Sequence, residues 1–224
     1  MSGKPLTIAV PELSLEVSGL LELPANPRSL YVLAHGAGAG MGHPFLEKIS
    51  EALVALGVGT LRYQFPYMER GSGRTDSPDK CVATVNAAVA RARTEAPGVA
   101  LVAGGKSFGG RMTSTAQSRA PLAGVRGLVF LGFPLHAPGN PGITRAEHLD
   151  LVQIPMLFLQ GTRDDFAQGE LLHQVVARLT PRATLHEIEG GDHSFKVPKK
   201  QSTEAAVLQD LATTITDWTE RSAR

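Results

Sequence analysis

Six short apolar runs alternate along this chain with stretches of helical spacing, and no other feature narrows the possible folds so far. The runs LYVLAHG, GVGTLRYQF, VALVAGGKS, GLVFLGF, PMLFLQGT and ATLHEIEG are rich in Leu and β-branched residues and bounded by Gly or Pro. Such runs mark strands buried on both faces. Between them, residues 45–56, 80–95, 108–118, 170–179 and 203–221 carry helical spacing. This alternation predicts a mostly parallel, twisted sheet with helices on both faces, since right-handed crossovers lay each helix over the sheet. The opening segment TIAVPELSLEVSGLLELP reads differently. Its alternating pattern, with Pro11 and Pro24, predicts a short antiparallel hairpin at one sheet edge. With no fixed-period repeat, low-complexity tract or linker-like stretch, residues 1–224 are expected to form one domain. The Gly- and Pro-rich loops 67–79 and 134–143 are too short for a lid domain.

In an open parallel sheet, ligands bind beyond the carboxyl ends of the strands. Residues 35–40, 65–67, Ser107, 133–136, Asp164 and His193 fall there. Gly105-Lys106-Ser107-Phe108-Gly109 follows one predicted strand and opens a predicted helix, the context that makes a G-x-S-x-G match a nucleophile elbow. Small residues at 105 and 109 let strand and helix approach while Ser107 is held up in a strained turn. The helix that follows aims its first backbone N–H groups and the positive end of its dipole at the same point. A serine hydroxyl is a weak nucleophile at neutral pH and needs a base and a group that orients the base, in the chain order Ser, acid, His. Asp164, in Gly161-Thr162-Arg163-Asp164, is the expected acid in preference to its neighbour Asp165. His193, in Gly190-Gly191-Asp192-His193, is the expected base. The amides of Phe108 and Ala37, the latter in the small-residue loop 34–40, are the expected oxyanion donors.

Weaker expectations surround this set. Tyr67 and His136 lie at strand ends and are expected to contact substrate, with loop packing as the alternative. Arg111 is a candidate for an acidic substrate group, or for an ordinary ion pair. His35 is expected to hydrogen-bond within its own loop, and His148, His173 and His186 to pack or face solvent. The Lys196, Lys199 and Lys200 cluster reads as a solvated face.

Composition bounds the partners. Lys plus Arg total 22 against 21 for Asp plus Glu, a net charge of +1, which gives no basic surface for nucleic acid or an anionic membrane. Cys81 is the only cysteine. It rules out an intrachain disulfide and a multi-thiolate metal site, and suits a reducing, cytoplasmic setting. No run approaches the ~20 apolar residues of a membrane span. No exposed apolar stripe names an oligomeric state.

The motifs HGAGAG, GGKSFGG, QGTRD and GGDHSF, in that order, resemble the α/β-hydrolase superfamily across nearly the whole chain. RYQFPY, GGKSFGGRM, FPLHAPG and QGTRDDF are similar to a narrower hydrolase-like group that includes testis-expressed protein 30 and a domain of an NSL complex subunit. The resemblance implies an α/β-hydrolase fold and a serine hydrolase working through Ser107, His193 and Asp164. The expected activity is a carboxylesterase or thioesterase acting on small soluble acyl substrates, with no metal and no organic cofactor. The narrower group also includes scaffold components, so a non-catalytic binding protein is the rival reading.

Overall fold

Glycines and prolines cut the chain into elements close to those the periodicity predicts. The computed structural model describes residues 3–222. β1 (Lys4–Val10) and β2 (Leu15–Glu22) form an antiparallel hairpin turned by a 3-10 segment at Pro11–Leu13. β3 (Ser29–Ala34), β4 (Val58–Tyr63), β5 (Ala100–Lys106), β6 (Val125–Leu131), β7 (Met156–Gly161) and β8 (Ala183–Ile188) are mutually parallel. The sheet order is β1-β2-β4-β3-β5-β6-β7-β8, so the hairpin occupies one edge and pairs with β4.

The helices are α1 (Pro44–Ala55), α2 (Pro66–Glu69), α3 (Pro78–Glu95), α4 (Phe108–Arg119), α5 (Gly169–Leu179) and α6 (Glu204–Ser222). The spacing places the starts of α1 and α3 slightly late. Both open on a proline, whose fixed φ suits the first turn and whose missing N–H has no intrahelical acceptor to lose there. α2, and the 3-10 helix Thr144–Leu151 inside the β6–β7 connection, were not expected at all. Both are short, and neither contains enough turns for a helical period to emerge.

Each central strand sends alternate side chains to opposite faces. Tyr31 and Leu33 of β3 and Val102 of β5 pack under α1 and α6, against Leu46, Ile49, Leu53, Leu211, Ile215 and Trp218. Val32 of β3, Ala103 of β5 and Phe130 of β6 join the opposite layer, with Val85 and Val89 of α3, Met112 of α4 and Val175 of α5. Burial on both faces is what made these runs read as continuously apolar. Among the described residues, no helix is long and apolar enough to cross a membrane.

The winding positions the site. After β3 the chain adds β4 on one side, and after α3 it returns to add β5 on the other side of β3. The direction therefore reverses between β3 and β5, and a crevice opens at their carboxyl ends. No inserted domain covers that crevice among the described residues.

Candidate active site

Ser107 alone joins β5 to α4, at φ 50° and ψ −114°. A non-glycine residue in such a conformation stores about 1–3 kcal/mol, and the surrounding ladder holds it in place. Its N–H donates to Leu131 O (3.0 Å) and its carbonyl accepts from Arg111 N–H (3.1 Å). The flanking glycines are required by close approach. A Cβ at Gly105 would lie 2.3 Å from Ala34 O, and one at Gly109 would lie 2.6 Å from His35 O. With both methyls absent, the end of β3 presses against the elbow, and its loop arrives beside the serine. A Cβ on Gly36 would sit 3.9 Å from Ser107 Cβ.

The loops after β7 and β8 complete the arrangement. His193 Nε2 lies 2.8 Å from Ser107 Oγ, and His193 Nδ1 lies 2.7 Å from Asp164 Oδ2. With the carboxylate accepting from Nδ1–H, Nε2 is the acceptor for the serine hydroxyl. Asp164 is 4% exposed, whereas Asp165 is exposed to solvent. Burial of an acid demands partners, and Asp164 has them: Phe166 N–H donates to Oδ1 (2.8 Å) and Gln160 Nε2 donates to Oδ2. Gln160 is itself fixed, since its Oε1 accepts from Phe133 N–H (2.8 Å). Asp192 shapes the histidine loop by accepting from Ser194 N–H (2.8 Å) and Lys196 N–H (2.9 Å).

The two expected oxyanion donors are free to donate. Phe108 opens α4, so its N–H is one of those a helix leaves without an internal acceptor. In the loop after β3, Gly38 N–H donates to Tyr67 Oη (3.2 Å) and Ala39 N–H to Gly36 O (3.2 Å), while among the described residues no hydrogen bond uses the Ala37 amide. A cavity of about 280 Å³ adjoins Ser107, His193 and Ala37, with Phe45, Leu46, Phe166 and Lys106 in its walls.

Tyr67 and His136 do not line this cavity. Tyr67 is fully buried on α2, and its hydroxyl props the glycine loop from behind. His136 is spent on loop structure: Nδ1 donates to Ala137 O (2.9 Å) and Nε2 accepts from Gln168 N–H (3.3 Å). The contacts seen at both positions are those of loop packing, the alternative reading, and neither side chain borders the cavity beside Ser107. Arg111 lies over the Phe108 ring at 5.9 Å. Cys81 is buried, and burial pushes its thiol up to about 12, which leaves it no nucleophile. His148 hydrogen-bonds Ser114 (2.7 Å), and burial pulls it down to about 4.

Sequence reasoning missed Gln160 and Phe166. Gln160 carried a signal, as a lone amide in the otherwise apolar run PMLFLQGT. The Phe166 ring packs on His193 at 4.2 Å between centroids, a contact across loops that no spacing encodes.

His35 does more than close its own loop. Nδ1 donates to Gly36 O (2.7 Å) and Nε2 accepts from Phe65 N–H (3.1 Å), so the neutral ring ties the loops after β3 and β4 together. Burial pulls its pKa down from 6.5 to about 4. A group depressed in the folded state contributes stability above its unfolded pKa, and that stability is lost as pH falls toward the folded value. Lowering the pH from 7 to 5 is expected to remove about 2 kcal/mol through His35. Chemical denaturation at the two pH values checks this, and His35→Gln should remove its share of the dependence while leaving that of His148.

Among the described residues, no group of three or more His, Cys, Asp or Glu is arranged to hold a metal ion. A serine on a strand–helix elbow, at the switch point of a mostly parallel eight-stranded sheet, defines the α/β-hydrolase class. Residues 27–220 match the alpha/beta hydrolase domain family, and the chain belongs to it. Dienelactone hydrolase from Anabaena variabilis superposes with a TM-score of 0.78 at 19% identity, over 99% of this chain and 98% of that one. A lidless α/β serine hydrolase from Xanthomonas campestris gives 0.75 at 20% identity, over 99% and 95%. The esterase domain of a Rhodothermus marinus protein gives 0.75 at 16%, over the whole of both chains. In sequence, a putative phosphoribosyl transferase of Mycobacterium tuberculosis is 25% identical over 206 residues, which is 90% of this chain and 43% of that protein's length.

Proposed function

We propose that this protein is a serine hydrolase that forms and hydrolyses an acyl-enzyme, as a carboxylesterase or thioesterase on small soluble acyl substrates. One observation carries the reading. The Ser107 hydroxyl, the His193 imidazole and the buried Asp164 carboxylate form an unbroken hydrogen-bonded line of 2.8 and 2.7 Å that ends at a cavity.

In this mechanism His193 Nε2 takes the Ser107 proton as Oγ attacks the acyl carbon. The Phe108 and Ala37 amides receive the oxyanion. The imidazolium then protonates the departing alcohol or thiol, and the acyl group stays on Oγ. Water attacks next, giving its proton to Nε2, and the acid leaves as Ser107 is re-protonated. The site on its own needs neither metal nor organic cofactor for this cycle. Esterase names among structures sharing the fold support the hydrolase reading, and the absence of an inserted domain among the described residues favours compact substrates. Within the family, the motifs RYQFPY, GGKSFGGRM, FPLHAPG and QGTRDDF support a likeness to the group that includes testis-expressed protein 30.

A fluorophosphonate probe, read by intact mass, tests the reading: wild-type protein should gain one adduct at Ser107. A folded wild type that takes up no probe would sink the hydrolase reading in favour of a scaffold. Asp164→Asn should keep the fold but cost about 10⁴ in turnover, because an amide can present its N–H to Nδ1 and force the wrong tautomer. Ester hydrolysis by the purified variant measures it, and a loss under tenfold would remove Asp164 from the mechanism.

A further inference from the structure

Lys106, the residue before the elbow serine, ends as a buried amine that nothing in the mechanism uses. Its stem passes the glycine loop, where a Cβ on Gly36 would lie 3.7 Å from Lys106 Cγ. Its Nζ is shut off from solvent and has no hydrogen-bond partner. It lies 5.6 Å from the centroid of the Phe195 ring. The position a Cβ would take on Gly132 lies 3.0 Å from Nζ and 3.5 Å from both Nδ1 and Cε1 of His193. Amine and imidazole therefore border the same space above Gly132.

We propose that Lys106 is a positioning residue for His193: its ammonium, held beside the imidazole without a hydrogen bond, disfavours the protonated ring and keeps Nε2 free to accept the Ser107 proton. This rests on the reading of His193 as the base. The charged surroundings are few. Asp164, from the loop after β7, and Asp192, from the loop after β8, attract the ammonium, and His43, at the start of α1, borders the same cavity with its Nδ1 accepting from Phe45 N–H. Burial pulls the amine down to about 8 while the two carboxylates pull it up, so the cation prevails at and below neutral pH. A cation close to a ring that must itself become cationic acts in one direction only. It raises the free energy of the imidazolium relative to the neutral ring.

Two readouts test the role. The first is the pH dependence of the fluorophosphonate labelling rate for wild type, Lys106→Met and the charge-retaining Lys106→Arg. The second is the titration of the His193 ring by NMR on histidine-labelled protein, assigned by the signal missing from His193→Gln. Lys106→Met is expected to move both midpoints upward by about one pH unit, and Lys106→Arg to bring them back toward wild type. Should the Met variant not fold, Lys106→Gln is read in the same way. Unmoved midpoints, with a uniformly lower or unchanged rate, would overturn the proposal and leave Lys106 a packing residue. A wild type that never labels would defeat the hydrolase reading instead, and the ring titration would still decide on the lysine.

Discussion

Replacing Ser107 with Ala is expected to abolish fluorophosphonate labelling and to lower ester turnover by about 10³- to 10⁶-fold. The expectation comes from the hydrogen-bonded line. Ser107 Oγ is the hydroxyl that His193 Nε2 meets, at 2.8 Å, and among the described residues the cavity wall holds one other hydroxyl, that of Ser194. Alanine keeps the backbone at the elbow and removes a single oxygen, so the melting temperature should move by no more than a few degrees. Ser107→Gly separates geometry from chemistry, because a residue without Cβ adopts φ 50° without strain. It should be as inactive as the alanine variant but more stable. Turnover retained by either variant would mean that another group performs the chemistry.

Gly105→Ala is expected to have the largest effect on the fold of any single added methyl in the elbow motif. The new Cβ would stand 2.3 Å from the carbonyl oxygen of Ala34, 2.9 Å from its carbonyl carbon and 2.9 Å from its Cβ. None of these atoms belongs to a flexible side chain. β3 cannot yield without breaking the ladder that pairs Ala34 with both Tyr63 and Gly105. Overpacking of rigid backbone belongs with the most destabilising substitutions, at about 4 kcal/mol or more, which for a chain of this length is a fall of roughly 10 °C in melting temperature. Thermal unfolding of the purified variant, or its failure to accumulate in soluble form, checks this. A variant within 2 °C of wild type would show that β3 can move away from the elbow.

Much of this architecture was legible in the sequence because each layer wrote a separate signal. Burial on both faces made the central strands continuously apolar, and the edge hairpin alternated instead. Gly105, Ser107 and Gly109 announced the elbow because close backbone contact leaves no room for other residues at the glycine positions. The order Ser107, Asp164, His193 was readable because each follows a strand that ends at the same rim of the sheet. The choice of Asp164 over Asp165 rested on G-x-x-D spacing, and the structure places Asp164 in the buried network and Asp165 in solvent.

What escaped was the traffic of side chains between loops. Tyr67 and His136 stood at the right strand ends, yet their polar atoms turn toward neighbouring backbone rather than the cavity. Position along the chain gives proximity to a site, and only packing decides direction. Lys106 illustrates the converse: inside the motif its side chain read as equally able to pair with a carboxylate away from the site, and its amine ends buried without a hydrogen-bond partner.

The placement of Ser107 and His193 on different strand ends also bears on synthesis at the ribosome. The two residues lie 86 positions apart. At about 5–20 residues per second, the serine is polymerised roughly 4 to 17 s before its histidine. The elbow is local and can form early, but Ser107 stays an ordinary hydroxyl until β7 and β8 have joined the sheet and delivered both Asp164 and His193. Under the proposed mechanism a growing or truncated chain thus carries no activated serine, and reactivity toward a probe would double as a report that the last strands have docked.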